Sequence, residues 1–123
     1  MLKRTTAAAL ALLVAGFIAS SASAHPTLKS AMPPAEGVVG SAPSEIRLNF
    51  SEAVIPKFST VGLKDQAGKN IATGNVAINP NDARQLVLPL EAPLQAGTYT
   101  VQWNVVSVDT HRVNGTFSFK VAR

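Results

Sequence analysis

Polar and apolar residues alternate most cleanly over Glu45-Ile46-Arg47-Leu48-Asn49-Phe50-Ser51. Successive side chains of a strand point to opposite faces, so Ile46, Leu48 and Phe50 should meet a core while Glu45, Arg47 and Asn49 meet water. The same period recurs over residues 98–105, with Tyr99, Val101, Trp103 and Val105 on one face. It recurs again over 115–121, with Phe117, Phe119 and Val121 inward. Further strands are expected over 58–64 and 84–90, with a weaker one over 74–78, and Pro89 marks an edge strand or a strand end. Turn chemistry lies between them, at Asp65 to Asn70, Asn79-Pro80-Asn81-Asp82 and Glu91 to Gly97. His25 to Ala31 reads as an extended lead-in, because Pro26 biases His25 away from helix. Met32 to Gly37 reads as a turn in which Met32 packs the loop, and the Gly-, Ser-, Ala- and Pro-rich run to Pro43 supports no helix. Roughly seven short strands and no amphipathic helix of ordinary length predict an all-β fold. The expected form is a small antiparallel β-sandwich of immunoglobulin-like architecture, or a Greek-key barrel.

The first residues break this pattern. Lys3 and Arg4 precede an apolar run from Thr5 to Ala19, and small residues follow, with Ala22 and Ala24 in the A-x-A positions. That order is a secretory signal peptide, residues 1–24, cut between Ala24 and His25. The run is also short of the ~20 apolar residues a bilayer crossing needs. An uncleaved anchor is the alternative. The working domain is then residues 25–123, exported, with no membrane insertion after processing.

Loss of Lys3 and Arg4 leaves nine basic against seven acidic side chains, a nearly balanced surface. These charges are scattered without aromatic interleaving, which excludes nucleic acid as the expected partner. No cysteine is present. An exported domain of this size without disulfides must hold together by core packing. Thiolate catalysis, thiolate zinc sites and thiolate copper(I) sites are excluded, so any metal must take nitrogen and oxygen donors or the single remaining thioether of Met32.

The candidate chemistry gathers on the only two histidines, His25 and His111. Cleavage before His25 would give it a free α-amine beside its own imidazole, and the amine with Nδ1 can close a chelate ring. Unperturbed pKa values near 7.7–8.0 and 6.5 mean a cation displaces little proton affinity there. Pro26 has no N–H and cannot add a deprotonated backbone amide. Asp109 stands two residues before His111, and in an extended segment both would project to one face. An unbroken strand would carry Asp109 onto the buried face of Trp103 and Val105, at a desolvation cost. A strand that ends near Val106 would instead leave the pair at an open end of the sandwich. Taken alone, the spacing also suits a hydrogen-bonded pair that pins a loop, and His25 alone suits an ordinary residue after a cleavage site. Glu52, directly after the clearest strand, could join as a further ligand or lie solvated at the strand end. Two imidazoles, an amine and a carboxylate suit tetragonal copper(II), with nickel and zinc behind it. Such a site leaves little open coordination, which favours carriage over turnover. The competing readings are a copper-dependent oxidative enzyme with a terminal-histidine site, and a metal-free interaction domain.

Several separated motifs occur together: His25-Pro26, Pro34-Ala35-Glu36-Gly37, Leu48-Asn49-Phe50-Ser51-Glu52, Ala96-Gly97-Thr98-Tyr99, Trp103 and Ser107-x-Asp109-Thr110-His111. In this order they resemble the CopC family of periplasmic copper-binding proteins over essentially the whole processed chain. The resemblance implies a cupredoxin-like or immunoglobulin-like sandwich that binds Cu(II) in copper homeostasis and resistance. It also implies a metal site at His25, Asp109 and His111, with Glu52 nearby, and a CopD-type inner-membrane copper protein as partner; the processed domain is expected to be a monomer. One departure is plain. Residues 63–85 hold neither methionine nor histidine, so the methionine-rich copper(I) loop of some members is missing.

Overall fold

The computed structural model describes residues 25–122. The expected leader and its cleavage site, together with Arg123, lie outside the described residues. Eight strands follow in order: β1 (Leu28–Met32), β2 (Val38–Val39), β3 (Glu45–Phe50), β4 (Thr60–Asp65), β5 (Ala77–Asn79), β6 (Asp82–Pro89), β7 (Gly97–Val106) and β8 (Arg112–Val121). They form two four-stranded sheets, ordered β1-β3-β6-β5 and β2-β8-β7-β4. Neighbouring strands are antiparallel except β2, which pairs with β8 in parallel. Two separate sheets make this a sandwich rather than a closed barrel.

The alternating segments form the strands expected of them because each has one face to bury. Ile46, Leu48 and Phe50 of β3 and Leu86 and Leu88 of β6 meet Leu63 of β4, Val101 and Val105 of β7, and Phe117, Phe119 and Val121 of β8. Each fully buried aliphatic or aromatic side chain contributes about 1.5–3 kcal/mol relative to exposure. Tyr99 stacks on Phe119 with ring centroids 5.7 Å apart, and its hydroxyl donates to the Gln95 carbonyl at 2.7 Å. Trp103 packs edge-on against Phe50 at 5.3 Å. Opposite Trp103 in the register stands Gly115, where a Cβ would lie 2.5 Å from the indole Cζ2. Glycine at 115 is therefore the space into which the indole fits.

Several boundaries differ from the sequence reading. The strand expected over 58–64 is β4 and begins at Thr60, because residues 56–58 form a 3-10 turn started by Pro56. Of the 74–78 segment only residues 77 and 78 join a sheet, as part of β5, and the lead-in becomes β1 from Leu28. The stretch before Pro43 contributes β2, a two-residue strand too short to leave a period. Pro89 closes β6, which lies between β3 and β5, so it is a strand end and not an edge. Met32 does not pack a loop; it ends β1 and is 57% exposed.

Candidate metal centre

β7 ends at Val106, as the burial cost of an aspartate on its inner face requires. Ser107, Val108, Asp109 and Thr110 then turn the chain, with the Thr110 N–H donating to the Ser107 carbonyl at 2.8 Å and the Ser107 N–H to the His111 carbonyl at 2.9 Å. This is a three-residue hairpin loop: a tight turn followed by one residue with positive φ, where glycine is usual. Thr110 occupies that place at φ 71°. A β-branched residue there is strained by roughly 1–3 kcal/mol, and such strain persists only where surrounding bonds over-determine the backbone.

Those bonds centre on Ser107, which is fully buried. Its hydroxyl donates to Asp109 Oδ1 and accepts the His111 N–H at 3.2 Å. Asp109 Oδ1 also lies 3.2 Å from His111 Nδ1. The pair therefore converges through a turn, not through the extended i, i+2 geometry of a strand. Arg112 faces away and donates to Asn104 Oδ1 at 2.9 Å. The Ser107 hydroxyl, and after it His111, lower the Asp109 pKa below its ordinary value. A carboxylate depressed by folding contributes stability that is present above its unfolded pKa and lost as pH falls through its folded pKa. Asp109 thus stays ionised further into acid than a free aspartate. In Ser107→Ala, an NMR titration of the Asp109 carboxyl should show its midpoint moving up toward that of a free aspartate; an unmoved midpoint would remove Ser107 as the cause.

His25 arrives from the other end of the chain. Pro26 is fully buried, and Thr27 is bonded to Ser51 at the end of β3. The His25 ring meets the His111 ring edge-on, with centroids 4.8 Å apart. With metal–nitrogen bonds of about 2 Å, imidazoles that share an ion have centroids roughly 4–6 Å apart. The two rings fit that window as they stand. Glu52 is half-buried on the segment beside Ser51. Among the described residues, no group of three or more His, Cys, Asp or Glu side chains is gathered closely enough to hold a metal ion. The structure thus brings His25 to His111 and Asp109 to His111 as two pairs, without gathering three or more of the expected ligands His25, Glu52, Asp109 and His111 into one cluster. The α-amine expected on His25 after cleavage is a backbone donor and stands outside that side-chain grouping.

Residues 28–122 match the CopC domain family. The chain belongs to the CopC family. Its relatives include "Protein YobA" of Escherichia coli strain K12, 42% identical over 113 residues, with 92% of this chain and 91% of that protein covered. "Copper resistance protein C" of Pseudomonas syringae pv. tomato is 40% identical over 116 residues, covering 89% of this chain and 91% of that one. The crystal structure of PcoC from Escherichia coli superposes with a TM-score of 0.73 at 41% identity, over 80% of this chain and 99% of that one. PcoC is described as a methionine-rich copper resistance protein. The present CopC chain differs there, with Met32 its only methionine beyond the expected leader. The CopC domain match begins at Leu28, so His25 lies just before it. The sequence singled out His25, Asp109 and His111 as candidates; it gave no role to Ser107, whose place in the Ser107-x-Asp109 spacing was the available signal.

Proposed function

We propose that this CopC-family protein, once processed to begin at His25, carries or buffers copper(II) in the periplasm as part of copper homeostasis and resistance. The approach of the His25 and His111 rings from opposite ends of the chain to 4.8 Å carries the reading. His25 would contribute its amine and imidazole, His111 its remaining ring nitrogen, and Asp109 a carboxylate oxygen or a bond that fixes the His111 ring. Carboxylate–histidine pairing of that kind orients metal-binding imidazoles and raises their basicity. Nitrogen and oxygen donors of this hardness favour copper(II), which heads the divalent affinity order. The names of the copper resistance relatives support the same cargo. A nearly closed donor set fits a non-catalytic carrier that works as a monomer and exchanges copper with a CopD-type inner-membrane protein. Among the described residues, no helix is long and apolar enough to cross a membrane.

The test is a copper(II) titration of the processed protein followed by electron paramagnetic resonance. A single tetragonal copper(II) signal at one equivalent is expected, and it should be lost or replaced by a weak, heterogeneous one in His111→Ala. A processed protein that takes up no copper(II) at micromolar concentration would refute the assignment.

A further inference from the structure

His25 sits at the end of an arm that would ordinarily fray, because terminal residues stay poorly ordered unless they are tied down. The β1–β3 ladder is weakest at this end. Between Leu28↔Phe50 and Ser30↔Asn49 the register shifts by one residue on the β1 side, a bulge at Lys29. Past the Leu28↔Phe50 pair, the pairing is taken over by Ser51. Its N–H donates to the Thr27 carbonyl at 2.8 Å, and its hydroxyl accepts the Thr27 N–H at 2.9 Å and the Thr27 hydroxyl at 3.0 Å. Pro26, buried and with φ restricted by its ring, links this clamp to His25 with little slack.

The same segment holds the other half of the centre. Two residues past Ser51, the Ala53 carbonyl accepts the Val108 N–H at 3.0 Å. Val54 then bridges Ser107, and the Ile55 N–H donates to the Val106 carbonyl at 2.8 Å. Residues 51–55 therefore tie the arm that bears His25 and the hairpin that bears His111 to one short stretch of backbone.

We infer that Ser51 is a positioning residue for the copper(II) centre, its hydroxyl fixing His25 against His111 through Thr27 and Pro26. This rests on the copper(II) reading above and deepens it. The closing serine of the Leu48-Asn49-Phe50-Ser51 motif thereby acquires a task that core packing does not explain, since Ser51 is only half-buried and both hydroxyl bonds lie near the surface.

Three processed proteins, wild type, Ser51→Ala and Ser51→Thr, would be compared in two ways. In the metal-free state, NMR should show contacts between the His25 and His111 rings in wild type and Ser51→Thr, and their loss in Ser51→Ala with greater mobility of residues 25–27. With copper(II) as the probe, Ser51→Ala should bind roughly 10–100-fold more weakly, the range for loss of a group that orients a ligand, with a broadened paramagnetic signal. Ser51→Thr should restore both, and the melting temperature should hardly change. Ring contacts retained in Ser51→Ala would overturn the Ser51 role whatever the copper titration gave. A wild type that keeps its ring contacts yet binds no copper(II) would instead defeat the copper reading.

Discussion

Acetylation of the His25 α-amine should lower the copper(II) affinity of the processed protein by about 10²–10³-fold. Binding free energies of about 10–16 kcal/mol for four-donor structural zinc sites amount to roughly 3 kcal/mol per donor, and the same scale is taken for copper(II). One unit of 1.4 kcal/mol is tenfold in affinity. The acetyl group converts a basic amine into an amide, leaves no terminal amine to anchor its deprotonation by copper(II), and opens the chelate ring on His25. Pro26 offers no N–H that could replace the lost donor. The arm itself should keep its place, because buried Pro26 and the Thr27–Ser51 clamp lie downstream of the change. A loss of affinity would therefore report the amine and not a displaced imidazole. Titration with copper(II), read by electron paramagnetic resonance, decides it, and equal affinity in the two forms would remove the terminal amine from the site.

Replacement of Phe119 by alanine should destabilise the domain by about 3–5 kcal/mol, the usual range for deletion of a buried ring. Phe119 is 1% exposed, stacks on Tyr99, and stands on the central strand pair of its sheet. Small domains are held by only about 5–15 kcal/mol in total. This one has no cysteine and hence no disulfide to limit its unfolded chain. For a domain of this length the melting temperature should fall by at least about 12 °C, followed by circular dichroism or by fluorescence of the single tryptophan, Trp103. Phe119→Leu, which keeps most of the volume, should cost much less. A fall of only a few degrees in Phe119→Ala would mean that the ring is not packed as the structure describes. The copper centre should fail along with the fold, since β8 begins at Arg112, directly after His111.

Much of this architecture was legible in local pattern. Strands β3, β7 and β8 each bury one face, so their inward residues repeat with period two, and Ile46, Leu48, Phe50, Val101, Val105, Phe117, Phe119 and Val121 are all buried as read. The strands that escaped the pattern are those too short for a period, such as β2, or those begun late after a proline-led turn, such as β4. A two-residue parallel strand exists only because β8 offers an edge to pair with. That condition lies far along the chain and leaves no trace in residues 38 and 39.

The candidate centre divides in the same way. Chemistry by itself singled out His25 and His111, the only imidazoles in a chain without thiols, and the desolvation cost of Asp109 required β7 to stop near Val106. The contact between the rings depends on the tertiary structure. Segment 51–55 receives Thr27 on one side and Val106–Val108 on the other, so two residues remote in sequence become neighbours through a third segment that carries neither. Thr110 shows the same limit, because nothing in its identity predicts a positive φ. The hairpin bonds about Ser107 impose it and thereby aim Asp109 at His111. Residue chemistry determined which donors this protein possesses. Long-range hydrogen bonding decided that they meet, because only the folded sandwich supplies partners strong enough to hold a terminal arm and a strained turn together.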